Sequence, residues 1–138
     1  MNIKDINPKE FEALVSDIGF SSVPEKFRGL ISNVALIIED DVSLALRREM
    51  KLPDNETLLG LYRGIPLAAR GDGYGIGGRL PDTIALYRIP IIEASIEDGI
   101  SVRQMIEETI WHEVAHHFGL NEEEVRKREN SKWKEVQK

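Results

Sequence analysis

The stretch from Ser101 to Gly119 constrains the fold most, because it carries complete signals for one amphipathic helix. Ser101 is a typical N-cap, Gln104 completes a capping box, and Gly119 is a typical helix terminator. Between them an apolar row repeats at helical spacing. Its members are Val102, Ile106, Ile110, Val114 and Phe118. The sequence therefore predicts a helix that buries this row against the rest of the protein.

All three histidines of the chain lie on this predicted helix, at His112, His116 and His117. Residues 112–116 spell H-E-x-x-H, which places two imidazoles on one helix face with a glutamate beside them. At about 100° per residue, His112 and His116 point away from the apolar row, whereas His117 falls within it. We therefore expect His112 and His116 to be metal ligands, and His117 to be either a buried, hydrogen-bonded histidine or a residue that supports a ligand. Glu113, on the flank of the pair, is the predicted general base.

A catalytic zinc site takes three protein ligands and leaves one position for water. The spacing H-E-x-x-H-x-x-G-x-x-E makes Glu122 the predicted third ligand, since the compact zinc peptidases called metzincins place theirs after the same glycine turn. Other glutamates stay open as alternatives: Glu123 beside it, and Glu129 or Glu135 on a predicted C-terminal helix. Glu122 also fits as a first-turn acid of that helix, where the helix dipole favours negative charge.

Composition excludes several other functions. The chain has no cysteine, so a thiolate metal site, a cysteine nucleophile and a disulfide framework are all ruled out. No serine lies in a G-x-S-x-G motif, which disfavours a serine hydrolase. The formal net charge of −6 disfavours nucleic acid as a partner. No apolar run approaches the roughly 18 residues of a membrane span, and the N-terminus lacks an apolar leader. We therefore expect a cytoplasmic protein without a membrane segment.

The rest of the chain predicts short helices and strands in one domain over residues 1–138. Asn7 and Pro8 begin a helix that ends before Gly19, and Ser22 with Pro24 signals a second helix. Predicted strands cover Val34–Ile38, which reads as buried, Thr57–Tyr62, and Thr83–Ile89, which Pro90 ends. The segment from Arg63 to Pro81 holds six of the eleven glycines and predicts a mobile loop.

Two stretches, LLGLYRGIPLAARGDGYGIGGRLPDTIALYRIPII and TIWHEVAHHFGLNEEEV, also carry a family resemblance. Over about residues 57–125 the chain resembles the minimal zincin family, small bacterial proteins regarded as zinc metallopeptidases. The resemblance implies a compact α+β domain with a small mixed β-sheet packed on an active-site helix. It implies His112 and His116 as zinc ligands, Glu113 as catalytic base, and an acidic third ligand, usually aspartate, where this chain has Glu122. No methionine follows Gly119, so the Met-turn of full metzincins is missing.

The resulting hypothesis is a Zn²⁺-dependent peptidase that acts on a peptide or protein substrate. If Thr83–Ile89 is the edge strand beside the site helix, an extended peptide can pair with it, and the glycine-rich loop can close as a lid. Tyr74, Tyr87 or Arg88 are candidates to stabilise the oxyanion, the last two as substrate-binding residues. The alternative is a zincin-fold module that binds metal or a protein partner and has little or no catalytic activity.

Overall fold

Five α-helices and three strands form the part of the chain that the computed structural model describes, residues 6–31, 33–64 and 81–119. The helices are α1 (Pro8–Ile18), α2 (Glu25–Arg28), α3 (Leu44–Glu49), α4 (Arg88–Asp98) and α5 (Val102–His117). The strands are β1 (Val34–Glu39), β2 (Gly60–Arg63) and β3 (Asp82–Tyr87). None of the helices within these ranges is long and apolar enough to cross a membrane.

The strands form one mixed sheet in the order β1-β3-β2. β1 runs parallel to β3, with Val34 opposite Asp82, and β2 runs antiparallel to β3, with Tyr62 opposite Ile84. A mixed sheet with helices packed on it is the α+β architecture that the sequence resemblance implied, and that expectation is confirmed.

The sequence misplaced two strands within this sheet. Thr83–Ile89 was considered as the edge strand beside the site helix, yet β3 is the central strand and pairs on both sides. Val34–Ile38 was expected to be buried, yet β1 is a sheet edge and Ile37 is 40% exposed. An apolar run predicts a strand but not its position in the sheet, because strand order depends on pairing between distant segments.

Pro90 does not end the strand at a sheet edge. β3 ends at Tyr87, and α4 begins at once with Arg88, so Pro90 lies in the first turn of a helix. Proline is tolerated there because the backbone N–H groups of a first turn have no intrahelical partner. Helix α4 was not predicted, although it ends at a glycine, Gly99, which adopts the left-handed conformation.

The predicted N-caps of α1 and α5 are confirmed, but the Gln104 side chain donates to Glu108 and does not complete the predicted capping box. The Asn7 side chain accepts a hydrogen bond from the Glu10 backbone N–H at 2.8 Å, and Ser101 Oγ accepts one from the Gln104 N–H at 3.0 Å. The second predicted helix is shorter than expected. α2 has a single turn without a side-chain cap, and a 3-10 turn follows it over Gly29–Ile31.

The main core lies on the sheet face that carries α5, which packs against β2, β3, α1 and α4. Side chains at alternate β3 positions, Ile84 and Leu86, point into this core. Ala85 and Tyr87 point to the other face, where they pack with α3 through Leu46. The sheet therefore separates two apolar clusters, and α5 lies across the larger one.

Candidate active site

Helix α5 places the two predicted ligands away from the core. Ile110 and Val114 are at most 1% exposed, whereas His112 is half-buried and His116 is exposed. The helix ends at His117, and Gly119 follows with φ +86°, the left-handed conformation that glycine adopts without strain. The opposition of histidine pair and apolar row predicted from the helical periodicity is confirmed.

The ring nitrogens of the histidine pair converge. His112 Nε2 and His116 Nε2 lie 3.0 Å apart, and the two rings meet at an interplanar angle of 66°. Two imidazoles on one tetrahedral zinc, each at 2.0–2.1 Å from it, have nitrogens about 3.3 Å apart. The pair therefore fits two corners of a zinc site with only a small adjustment.

Glu113 lies beside the pair and is held by the sheet. Its Oε1 accepts a hydrogen bond from the Tyr62 backbone N–H at 3.0 Å. Burial raises the pKa of Glu113 above its ordinary value, and the Tyr62 hydrogen bond and the neighbouring His112 and His116 offset only part of that increase. A carboxylate with a raised pKa is a better proton acceptor, which suits a general base.

The strand beside the site is β2. On one side, the chain leading into β2 pairs with β3 through the Tyr87 N–H, which donates to the Leu59 carbonyl at 2.9 Å. Alternation along an antiparallel strand turns the Gly60, Tyr62 and Gly64 amides to the other side, and the Tyr62 N–H reaches Glu113 there. Within the described residues this outer edge of β2 is the sheet edge that meets α5, in place of the Thr83–Ile89 strand.

Gly60 allows β2 and α5 to approach closely. A Cβ atom at Gly60 would lie 2.8 Å from Thr109 Cγ2 and 3.0 Å from the Ala85 carbonyl oxygen. It would also lie 3.6 Å from Glu113 Cγ. A side chain there would push the strand away from the helix that carries Glu113.

We expect Gly60→Ala to lower the free energy of unfolding by about 1–3 kcal/mol, because the added methyl overpacks the contact with Thr109. Urea unfolding measures the change. Gly29→Ala is the matched control, since Gly29 has helical backbone angles and open space around its missing Cβ. Equal unfolding midpoints for the two variants would contradict the proposed close contact.

His117 is not buried, and that prediction is wrong. Its side chain is 35% exposed and stacks on the Tyr62 ring, with centroids 3.8 Å apart and planes 12° from parallel. The Tyr62 hydroxyl donates to Asp82 Oδ2 at 2.8 Å, and His117 Nε2 lies 4.0 Å from the same oxygen. His117 therefore contacts Tyr62 of β2 and Asp82 of β3 at the C-terminal end of α5, and it does not fill the core.

Tyr87 and Arg88, the candidate substrate-binding residues, do not lie with the histidine pair. Tyr87 is 1% exposed and packs in the cluster on the opposite sheet face. Arg88 Nε donates to Asp40 Oδ1 at 2.9 Å, and its Nη1 donates to the Ile6 carbonyl at 3.0 Å. Arg88 thus joins the start of α4 to the end of β1 and to the N-terminal segment.

A cavity of about 350 Å³ opens next to His112 and Glu113. It lies between the N-terminal part of α5 and the segment 57–60 that leads into β2. Its size falls within the range of pockets that bind small molecules and side chains.

Residues 31–133 match the sequence profile of the zincin-like metallopeptidases. The chain belongs to the zincin-like metallopeptidase family. No curated protein matches the chain. Membership identifies this zincin-like metallopeptidase as a zinc peptidase in general terms and gives peptides or proteins as its class of substrate.

The predicted third ligand of this zincin-like metallopeptidase, Glu122, and its alternatives lie outside the described residues. The described residues end at 119, before Glu122, Glu123, Glu129 and Glu135. Tyr74 and most of the glycine-rich loop lie between residues 64 and 81, which are also outside the described ranges. Among residues 6–31, 33–64 and 81–119, no group of three or more His, Asp or Glu side chains is arranged to hold a metal. Of the predicted site residues, the described part of the chain therefore contains the histidine pair and Glu113 but not the predicted third ligand.

Three residues of the zincin-like site were missed from the sequence. Gly60 lies inside the strand predicted over Thr57–Tyr62, and a glycine there is a recognised signal of close backbone approach. Tyr62 and Asp82 gave no such signal, because their hydrogen bond joins two strands whose pairing the sequence does not reveal. A tyrosine near the end of a strand is usually a packing residue.

Proposed function

We propose that this chain is a zinc-dependent peptidase in which Glu113 is the general base and His112, His116 and Glu122 hold the metal. The observation that carries the proposal is the convergence of His112 Nε2 and His116 Nε2 beside a half-buried glutamate. Family membership supports the metal and the reaction class. Glu122 is proposed from its spacing after the Gly119 turn, and its carboxylate would complete a His₂Glu ligand set.

The chemistry divides between the metal and the protein. When bound, zinc polarises the scissile carbonyl and lowers the pKa of a water molecule toward about 7. Glu113 accepts the proton of the attacking water and passes it to the leaving amine when the C–N bond breaks. The Tyr62 N–H holds one carboxylate oxygen, so the other is free to face the water. Glu113 is therefore oriented before the substrate arrives.

The outer edge of β2 is the proposed docking edge for the substrate. An extended peptide that pairs with the outward-facing Gly60 and Gly64 backbone groups lies alongside Glu113, whose side chain already accepts the Tyr62 amide between them. Main-chain pairing selects for extended peptides and leaves sequence preference to pockets beside the strand. We also propose that residues 1–138 form a single domain, since α1, α2, α4, α5 and all three strands contribute to one core and α3 packs on the other face of the same sheet. The cytoplasmic location stays a prediction.

Cleavage of a mixed peptide library tests the function. The purified chain is incubated with the library after loading with zinc or after metal removal by a chelator, and mass spectrometry detects the products. We expect products from the zinc-loaded sample alone, with activity restored when zinc is added back. Absence of cleavage by protein that holds one zinc per chain would refute the peptidase and favour the catalytically inactive binding module.

A further inference from the structure

The cavity beside the histidine pair adjoins the reacting bond of any bound peptide. It is lined by the α5 residues one and two turns before His112, together with His112 and Glu113 themselves. A peptide carbonyl placed between the histidine pair and Glu113 therefore has a neighbouring side chain within reach of the cavity. The opening is large enough for a long side chain.

Every charged side chain that lines this cavity in the described part of the chain is acidic. Besides Glu113 these are Asp98, at the end of α4, and Glu108, one turn before His112 on α5. Asp98 is exposed and Glu108 is half-buried, and Glu108 also accepts a hydrogen bond from Gln104. An acidic substrate side chain would be repelled from such a cavity, and a basic one would be attracted.

The remaining walls are largely apolar. Leu58 and Leu59 line the cavity from the segment before β2, and the buried Met105 lines it from α5. Lysine and arginine bury their methylene stems along apolar surface while the charged group stays near water. The apolar walls of the cavity therefore match the methylene stem of a lysine or arginine, and its partly exposed carboxylates match the charged group at the end of that stem.

We propose that this cavity binds the lysine or arginine side chain of a substrate residue next to the scissile bond, an inference that rests on the proposed peptidase function. Leu58, Leu59 and Met105 contact the stem, and Asp98 and Glu108 pair with the ammonium or guanidinium group. Arginine, with its planar donors, pairs with either carboxylate in two-point geometry. Asp98 and Glu108 are thus specificity-determining residues for a basic side chain.

The proposal is tested by NMR titration, which needs no hydrolysis. The isotope-labelled, zinc-loaded full chain is titrated with Nα-acetyl-lysinamide and, separately, with Nα-acetyl-norleucinamide, which has a similar stem without the charge. We expect the lysine amide to bind about fivefold more tightly, as two partly exposed ion pairs allow, and to shift the backbone amides of Leu59, Gly60 and Glu108. The difference should shrink in 1 M salt, where charges are screened within about 3 Å.

Paired variants assign the preference. Asp98→Asn with Glu108→Gln should bring the two amides to equal affinity, whereas Glu93→Gln with Glu97→Gln, which removes two charges from the exposed face of α4, should preserve the difference. Equal binding of the two amides by the wild type, no binding of either, or a preference that survives in the Asp98 and Glu108 variant would overturn the proposal.

Peptide cleavage distinguishes a failure of this proposal from a failure of the proposed peptidase function. If the zinc-loaded chain cleaves peptides without preferring lysine or arginine beside the scissile bond, the peptidase stands and the basic pocket is overturned. If the chain cleaves no peptide, the peptidase fails, and the titration still decides whether the cavity selects a basic side chain.

Discussion

Glu113→Gln is expected to lower kcat/KM for a cleaved peptide by about 10²–10⁴-fold while zinc remains bound. Glutamine has the same shape and still accepts the Tyr62 N–H hydrogen bond through its Oε1 atom. It has no carboxylate to take the proton of the attacking water. The measurement is kcat/KM on one peptide from the library, together with zinc content by mass spectrometry.

Glu107→Gln is the control for this variant, because it removes a carboxylate from the same helix at a position that does not line the cavity beside the site. We expect it to keep activity within a few-fold of the wild type. Undiminished hydrolysis by Glu113→Gln would show that another group accepts the proton. Loss of zinc together with activity would show that Glu113 acts on metal binding instead of on the reaction.

His116→Ala is expected to abolish stable zinc binding, because it leaves one imidazole of the pair. The wild type should retain about one zinc per chain after dialysis, and the variant close to none. Zinc binds the folded state, so at a hundred times its Kd it should stabilise the wild type by about 2.7 kcal/mol. Mass spectrometry gives the metal content, and thermal unfolding with and without zinc gives the stabilisation.

His117→Ala provides the matched control one residue along the chain. His117 stacks on Tyr62 instead of meeting His112, so its removal should leave the zinc content unchanged. Loss of the stack should cost about 1 kcal/mol of stability. Zinc retained by His116→Ala, or lost from His117→Ala, would mean that the metal uses a different pair of histidines.

Features of the fold that depend on neighbouring residues were predictable. The N-caps at Asn7 and Ser101 and the termination at Gly119 each involve residues within one helical turn, and all three are observed. The same holds for the opposition of His112 and His116 to the apolar row, which follows from the helical repeat alone. The histidine pair and its glutamate were therefore accessible from the sequence.

Features that depend on pairing between distant segments were not predictable. Recognising that the Thr83–Ile89 strand is central required knowing that β1 and β2 flank it, and no local sequence pattern reveals that strand order. His117 shows the same limit at one side chain. Its angle on the helical wheel pointed toward the core, but the helix ends beside β2, where the His117 ring stacks on Tyr62 and stays partly exposed.

The contacts that assemble this site differ greatly in their separation along the chain. His112 and His116 are four residues apart, whereas Tyr62 and Glu113 are 51 residues apart. Closing a long loop costs more chain entropy than closing one helical turn. The imidazole pair therefore needs only the helix, whereas Glu113 has its hydrogen-bond partner only when β2 is docked against α5. Detachment of β2 from α5 would therefore release the Glu113 carboxylate while the two imidazoles stay next to each other on the helix.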